Sequence, residues 1–372
     1  MMLPDRSIAL DARMIGHSGI GAHIRGLLEG WRETAPDFRP TLLGDPARLS
    51  AEIPDAAQYP IVPFRAPIYG LREQALFPSS RTRGALLHSP HYNIPLRHAG
   101  PLAVTIHDLI HLDRQWGPYS PVRRFYARWM LRTAVRRARH IFTVSQATAD
   151  DLAGRLGVGR NKISVVYNAP SRLFVEFDPQ SAALEQFRRQ AGLPADYLLT
   201  VGLYKPHKNL DVVLEAFRLL AKGGNCEVSL VIAGTQDKER AALRNRLAKL
   251  EIADRVRVPD RLPAAQLPLL YAAARVLIHP SLREGFGLPI VEAQAVGTPV
   301  VASELPVLRE VAGEGAMFFD PYDATALASQ IETVAKDSEI RSRLIAAGRR
   351  NAARFSWRES AQKVLAVYER IV

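Results

Sequence analysis

Short apolar, β-branched runs alternate with amphipathic helical stretches along this chain, and the alternation begins twice. Such a rhythm specifies parallel strands joined by helical crossovers. Residues 7–11 (Ser-Ile-Ala-Leu-Asp) read as a first strand, followed by a glycine loop and a helix near 20–31. Further strands are expected at 85–88, 102–106, 140–144 and 163–167. The pattern restarts at 197–202 and continues at 228–234, 256–258, 276–279 and 299–302. Between the two runs, residues 168–194 carry Asn168-Ala169-Pro170, Asp178-Pro179 and Gly192-Leu193-Pro194 with no strand signal, which marks a boundary. One core stops growing at about 250–300 residues, so a chain of 372 residues divides. The expectation is an α/β protein of two Rossmann-like halves, residues 1–175 and 190–355, with a terminal helix at 356–372. Ser356, with Glu359 three residues on, would open that helix with a capping box. Ligands of such sheets bind at the carboxyl ends of strands.

Composition excludes several classes. Apolar residues make up 47% and charged residues 23%, as in ordinary globular proteins. No apolar run approaches the ~20 residues of a membrane-spanning helix. The start, Met1 to Arg6, carries Asp5 and no long apolar stretch behind it, so no secretory signal is expected. Cys226 is the only cysteine, which excludes an intrachain disulfide and a cysteine-cluster metal site and fits a reducing compartment. Net charge is +12, unevenly placed: residues 1–175 hold 23 Lys and Arg against 13 Asp and Glu, and residues 176–372 hold 26 against 24. The first half should therefore face something anionic: a membrane surface, a nucleic acid or a phosphorylated acceptor.

Four segments could carry chemistry. Glu284-Gly285-Phe286-Gly287-Leu288-Pro289-Ile290-Val291-Glu292 follows an expected strand. Pro289 suits the start of a helix, the two glycines let backbone approach a ligand, and free amides at a helix N-terminus bind anions. Glu284 and Glu292 suit sugar hydroxyls better than phosphate. A tight strand–helix turn, with Glu292 favoured by the helix dipole, accounts for the same residues equally well. In Gly202-Leu203-Tyr204-Lys205-Pro206-His207-Lys208-Asn209, Asn209 reads as a helix N-cap. Lys208 beside a positive helix end calls for an anion between them, which favours a diphosphate over a structural lysine. Gly19-Ile20-Gly21 does not complete a dinucleotide fingerprint and could be an ordinary turn. Thr105-Ile106-His107-Asp108 ends a strand; a lone histidine there is more often structural, but the carboxyl end of a strand favours a site. No Asp-x-Asp metal motif stands at a loop, so no metal ligand and no cofactor are assigned.

The combination of Glu284, seven residues and Glu292, with Gly-Phe-Gly-Leu-Pro between them, followed by Gly297-Thr298-Pro299-Val300-Val301-Ala302, resembles the donor site of retaining family 4 glycosyltransferases. The resemblance runs along nearly the whole chain and is strongest from 197 to 320. It implies the GT-B fold, two Rossmann-like domains facing across a cleft, with the second binding a nucleotide-sugar and the terminal helix crossing back to the first. It implies that Glu284 holds hydroxyls of the transferred sugar, that Glu292 holds the ribose, and that amides around Gly285, Phe286, Gly287 and Leu288 meet the sugar and phosphates. Lys208, after Gly202, would bind the diphosphate. Many members carry a basic residue where this chain has Leu203, a place Lys205 could serve. The loop of Gly19 and Gly21 would lie over the donor phosphates, and His107 would align the donor sugar. The Lys-Asn form resembles a bacterial branch rich in mannosyltransferases, which implies GDP-mannose as first donor and a saccharide or lipid-linked acceptor. A metal-independent front-face reaction, with the leaving phosphate oxygen taking the acceptor's proton, is the implied chemistry.

Residues 121–140 hold seven arginines. Val122, Phe125, Trp129 and Thr133 recur at spacings of three and four, so that face is expected to pack inward. Arg124, Arg128, Arg132, Arg136 and Arg139 form another stripe, either a solvated face or a contact with anionic lipid. The segment 64–72, with Tyr69 and Arg72, is an equal candidate for acceptor or membrane contact. The reading is a cytoplasmic enzyme, peripheral at the inner face of the membrane. A UDP-sugar transferase acting on a soluble acceptor is the nearest alternative. A nucleic-acid-binding protein would use the same basic half, but there is no RNP signature, zinc-finger spacing or basic-aromatic array, so nucleic acid is not assigned as a partner. Nothing marks a pyridoxal-type lysine of a glycan phosphorylase.

Overall fold

The computed structural model describes residues 8–116, 120–178, 180–222 and 228–372. Residues 1–7, Pro179 and Cys226, on which some of the readings above rest, lie outside the described residues. The chain divides into two compact units, Met1–Asn168 with Ser356–Val372, and Ala169–Phe355.

The first unit is built on strands β1 (Ile8–Asp11), β2 (Thr41–Gly44), β3 (Ile61–Pro63), β4 (Leu86–Ser89), β5 (Leu102–Ile106), β6 (His140–Thr143) and β7 (Ile163–Val165). Their order is β3-β2-β1-β4-β5-β6-β7, with every neighbour parallel. The second unit holds β8 (Tyr197–Val201), β9 (Ser229–Ala233), β10 (Val256–Arg257), β11 (Val276–His279), β12 (Val300–Ser303) and β13 (Ala316–Phe319). Its order is β10-β9-β8-β11-β12-β13, again all parallel. Helices cover such sheets on both faces, so central strands read as unbroken apolar runs; Leu-Ala-Val-Thr-Ile in β5 and Val-Leu-Ile-His in β11 are fully buried. In each sheet the order reverses once, between β1 and β4 and between β8 and β11. At such a reversal the carboxyl ends of the two strands are where sheets of this kind hold ligands.

β2, β3 and β13 were not expected. β3 is three residues, bounded by Pro60 and ending on Pro63, a pattern that reads as loop. The glycine pair also differs from expectation: Gly19 and Gly21 lie in the first turn of the Ser18–Thr34 helix, not in a loop before it.

The Pro121–Arg137 helix overturns the expected inward face. Val122, Phe125 and Trp129 are 77%, 74% and 41% exposed, and only Thr133 of that row is buried. Ala127, Met130, Leu131, Ala134 and Val135 pack inward instead. Both rows fit a helical period, and the small Ala127 and Ala134 bring the helix closer to the sheet than Phe125 and Trp129 allow. Arg139 lies beyond the helix end and donates to the Ile371 carbonyl at 2.6 Å, so it leaves the basic stripe.

The terminal helix, Trp357–Ile371, packs within the first unit. Ser356 caps it by accepting from the Glu359 amide at 3.4 Å. Gly26 and Gly30 of the Ser18–Thr34 helix make room for it: a Cβ on Gly26 would lie 2.1 Å from the Trp357 ring. Trp31 Nε1 donates to the Ala361 carbonyl at 3.0 Å, and Tyr368 and His88 share a bond of 2.5 Å.

Candidate functional site

In the second unit, the loops after β8 and β11 leave adjacent strands at the switch point and converge. The β8 loop passes Gly202, turns through Pro206–Lys208 and enters the Leu210–Lys222 helix. The β11 loop runs through Ser281 and Glu284 into the Leu288–Val296 helix. Two bonds tie the loops together: the Leu282 amide donates to the His207 carbonyl at 2.8 Å, and Asn209 Nδ2 donates to the Pro280 carbonyl at 3.1 Å. Asn209 also donates to the Pro321 carbonyl at 2.7 Å and holds a left-handed φ of 53°. Its side chain pins loops, where side-chain capping of the following helix was expected.

This pinning brings Lys208 Nζ to 2.6 Å from Glu284 Oε1. Ser281 Oγ donates to the same oxygen at 2.8 Å. His279 Nε2 lies 3.1 Å away, at ion-pair distance but with its N–H poorly aligned for a hydrogen bond. Burial would raise the Glu284 carboxyl, but the Lys208 ammonium and the His279 imidazole overcome it and hold the group well below the usual carboxylate range. Glu284 is therefore an anion whose Oε1 already faces donors.

Glu292 sits one helical turn inside Leu288–Val296 and accepts from the Tyr271 hydroxyl at 2.7 Å. Burial raises it to about 7, and the Tyr271 bond offsets only part of that. Gly287 precedes the helix at φ 100°, a backbone conformation that favours glycine. Phe286 turns its ring into the core against Phe355, with centroids 5.5 Å apart, so only its backbone could face a ligand. Lys205 is exposed.

In the first unit, the candidates stand at the carboxyl ends of β1, β4 and β5. His107, after β5, donates from Nε2 to the Pro90 carbonyl at 3.0 Å, which leaves Nδ1 as an acceptor. Burial lowers it to about 4, so the ring is neutral near pH 7 and suits a hydroxyl rather than an anion. Its edge meets His23 at 5.0 Å. Asp108 holds the loop by accepting from the Ile110 amide at 2.9 Å. Gly19 has open space beside it, whereas a Cβ on Gly21 would lie 2.1 Å from the Ile15 carbonyl, so close backbone approach explains that glycine.

Tyr69 carries φ 70° and is fixed from both ends. Its amide donates to Glu73 Oε2 at 3.1 Å, and its hydroxyl bonds His91 Nε2 at 2.7 Å. Glu73 is buried and bonded by Arg13 at 2.5 Å and by Asn93. Phe64, in the same segment, is buried beneath the Arg13 guanidinium and is unable to reach a membrane. Arg72, Arg128 and Arg132 are exposed, and Arg124 is partly so.

The sequence reading missed His279, Ser281 and Tyr271, which surround the two glutamates. His279 had one signal, a polar residue closing an apolar strand at its carboxyl end; the others had none. It also missed Arg13, Glu73 and Asn93, which come together only through tertiary structure.

Two family models match the chain. One described as Glycosyl transferases group 1 covers residues 185–351, and one described as Glycosyltransferase Family 4 covers residues 18–169. The O-antigen chain mannosyltransferase RfbU of Salmonella typhimurium is 30% identical over 249 residues, which span 67% of this chain and 64% of that relative, just under two thirds of its length. The O-antigen chain mannosyltransferase B of Escherichia coli is 28% identical over 285 residues, 76% of this chain and 74% of the relative. Among solved structures, Anabaena Alr3699/HepE in complex with UDP and glucose matches with a TM-score of 0.78 at 18% identity, over 98% of this chain and 99% of that one. At that identity the likeness is one of fold. The two parallel Rossmann-like sheets, of seven and six strands, are those of the GT-B architecture.

Proposed function

Because the chain belongs to glycosyltransferase family 4, we propose that it is a retaining hexosyltransferase that draws its sugar from a nucleotide-sugar. The first choice is mannose from GDP-mannose, placed on a lipid-linked or saccharide acceptor in cell-surface polysaccharide synthesis. The names of the two mannosyltransferase relatives support the sugar and the setting. The observation that carries the reading is the Lys208–Glu284 contact at the switch point of the second sheet, with Glu292 on the helix that follows.

In this reading Lys208 neutralises charge on the leaving diphosphate, together with amides at the start of Leu288–Val296. Glu284, held ionised, accepts from hydroxyls of the sugar, and Glu292 accepts from the ribose. The bond from the sugar's anomeric carbon to the phosphate oxygen breaks, a bond to the acceptor oxygen forms on the same face, and the acceptor's proton passes to the leaving phosphate oxygen. No protein base is required for that transfer. His107 offers Nδ1 to a sugar hydroxyl. The first unit serves acceptor and membrane, and the second serves the nucleotide-sugar.

A peripheral position at the inner membrane face is supported by the basic first half and by the exposed arginines of Pro121–Arg137. Among the described residues, no helix is long and apolar enough to cross a membrane. A second reading is a UDP-sugar donor with a soluble acceptor; the UDP and glucose bound by the Anabaena protein bear on its donor alone.

A thermal-shift series with GDP, UDP, ADP and dTDP tests the donor. A nucleotide at 100 times its dissociation constant stabilises by about 2.7 kcal/mol. GDP should act most strongly. UDP acting in its place moves the assignment to the second reading, and no shift with any of the four overturns the donor site.

A further inference from the structure

The exposed side of Pro121–Arg137 borders a groove of about 940 Å³ within the first unit. Its other walls are His111, Leu112 and Arg114 after β5, and Leu156 at the end of the Gln146–Leu156 helix. Arg124, Arg128, Arg132 and Arg136 follow one another at every fourth position and line it together, facing Arg114. Like charges at that helical spacing repel. The acids nearest in sequence do not answer them: Asp113 and Asp151 are engaged by Arg155, and Asp150 by Arg160. Phe125, 74% exposed, and Trp129, 41% exposed, stand among the arginines and line the same groove. Five cations without carboxylate partners among the described residues favour an anion, and the two partly exposed aromatic rings favour apolar cover.

We propose that this groove binds a lipid diphosphate, with the diphosphate held by the arginines and the hydrocarbon chain laid along Phe125 and Trp129. The concavity distinguishes this from attraction to a flat bilayer, since its volume is that of a ligand pocket. Every cation lining it is arginine, as are 22 of the 23 Lys and Arg residues in the first 175, and the planar guanidinium can grip phosphate oxygens in pairs. The His111 end adjoins an aromatic cluster: His111 lies 5.3 Å from Tyr92 and 6.5 Å from Tyr69 between ring centroids. A saccharide carried on the diphosphate would leave the groove past Tyr69, at the switch point of the first sheet. The identification of this ligand as the acceptor's anchor rests on the proposed transferase function; the binding itself does not.

The test is titration of the full chain with farnesyl diphosphate, inorganic pyrophosphate and farnesol. The Lys208→Ala background keeps the nucleotide site from reporting. Farnesyl diphosphate should bind saturably, and at least tenfold more tightly than pyrophosphate or farnesol. Arg128→Gln with Arg132→Gln should weaken it at least tenfold. Phe125→Ser with Trp129→Ser should weaken farnesyl diphosphate but leave pyrophosphate unchanged. These are exposed positions, and unchanged melting curves verify that the variants fold. Pyrophosphate binding as tightly as farnesyl diphosphate overturns the lipid, leaving a free-anion site. Arginine-dependent binding to phosphatidylglycerol vesicles without binding of farnesyl diphosphate overturns the groove in favour of a bilayer surface. If farnesyl diphosphate binds while no nucleotide stabilises the protein, the donor reading fails and this one stands; the reverse result sinks this one alone.

Discussion

Burial acts on Glu284 and Glu292 alike, yet only Glu292 rises, to about 7, because a lysine and a histidine act on Glu284 while a neutral tyrosine hydroxyl acts on Glu292. The two should therefore fail differently. Glu284→Gln removes an ionised acceptor worth about 1.5–3 kcal/mol, so sugar transfer should fall about ten- to hundredfold while calorimetry with free GDP shows little change. Equal loss of GDP binding in Glu284→Gln and Glu292→Gln would sink the division of roles. Lys208→Ala should weaken GDP far more than guanosine, since only the diphosphate meets the ammonium; equal losses would show that Lys208 does not touch it. Glu292 adds a pH dependence. Its carboxyl must ionise to accept from both ribose hydroxyls, so GDP affinity should rise from pH 6 to pH 8. Glu292→Gln should flatten that slope, and a slope that persists in the variant assigns it to another group.

Helix faces decide what the first unit shows to water. Replacing Phe125 by serine should change stability by no more than about 0.5 kcal/mol, as for other exposed positions; a larger loss would mean that the row packs inward after all. Gly26→Ala tests the opposite case. Alanine improves helix propensity by about 1 kcal/mol, but its methyl would strike the Trp357 ring, and overpacking costs about 1–3 kcal/mol. The melting midpoint should fall, and a rise would show that the two helices have room to spare. The same contrast explains what the sequence could disclose. Long apolar strands such as β5 and β11 announce themselves because both faces are buried, whereas β3 hides between prolines. The arginine helix offers two apolar rows of equal period, and nothing local chooses between Phe125 and Met130; the sheet beneath prefers alanine-flanked contact. The glutamate pair of the β11 loop is visible as a motif. The partner of Glu284, 76 residues away, is supplied only by adjacency of β8 and β11, and His279 and Ser281 follow from the same closure.

Across the whole molecule, between about pH 5 and 7.5, the buried histidines of the first unit and Glu292 of the second respond to acid in opposite senses. The first buries His23, His88, His91, His107 and His140 as neutral rings; burial lowers all five, His23 to about 3 and His107 and His140 to about 4. Unfolded histidine titrates near 6.5, so between about pH 4 and 6.5 the unfolded state binds more protons and stability rises with pH. Acidification below 6.5 therefore removes stability from this unit, by up to about 1.4 kcal/mol per pH unit for each ring. In the second unit Glu292 works the other way. Its raised value gives a contribution fully present below the ordinary glutamate range and lost as pH climbs through about 7. Acid should open the first unit ahead of the second. The chain contains its own reporter, because all four tryptophans, Trp31, Trp116, Trp129 and Trp357, belong to the first unit. Thermal melts followed by tryptophan fluorescence should shift steeply downward from pH 7.5 to pH 5. Far-UV circular dichroism, which senses both units, should separate into two transitions over the same range. A tryptophan midpoint that stays constant between those pH values would mean that the buried rings are not held neutral, and would also remove the basis for His107 as a hydroxyl acceptor.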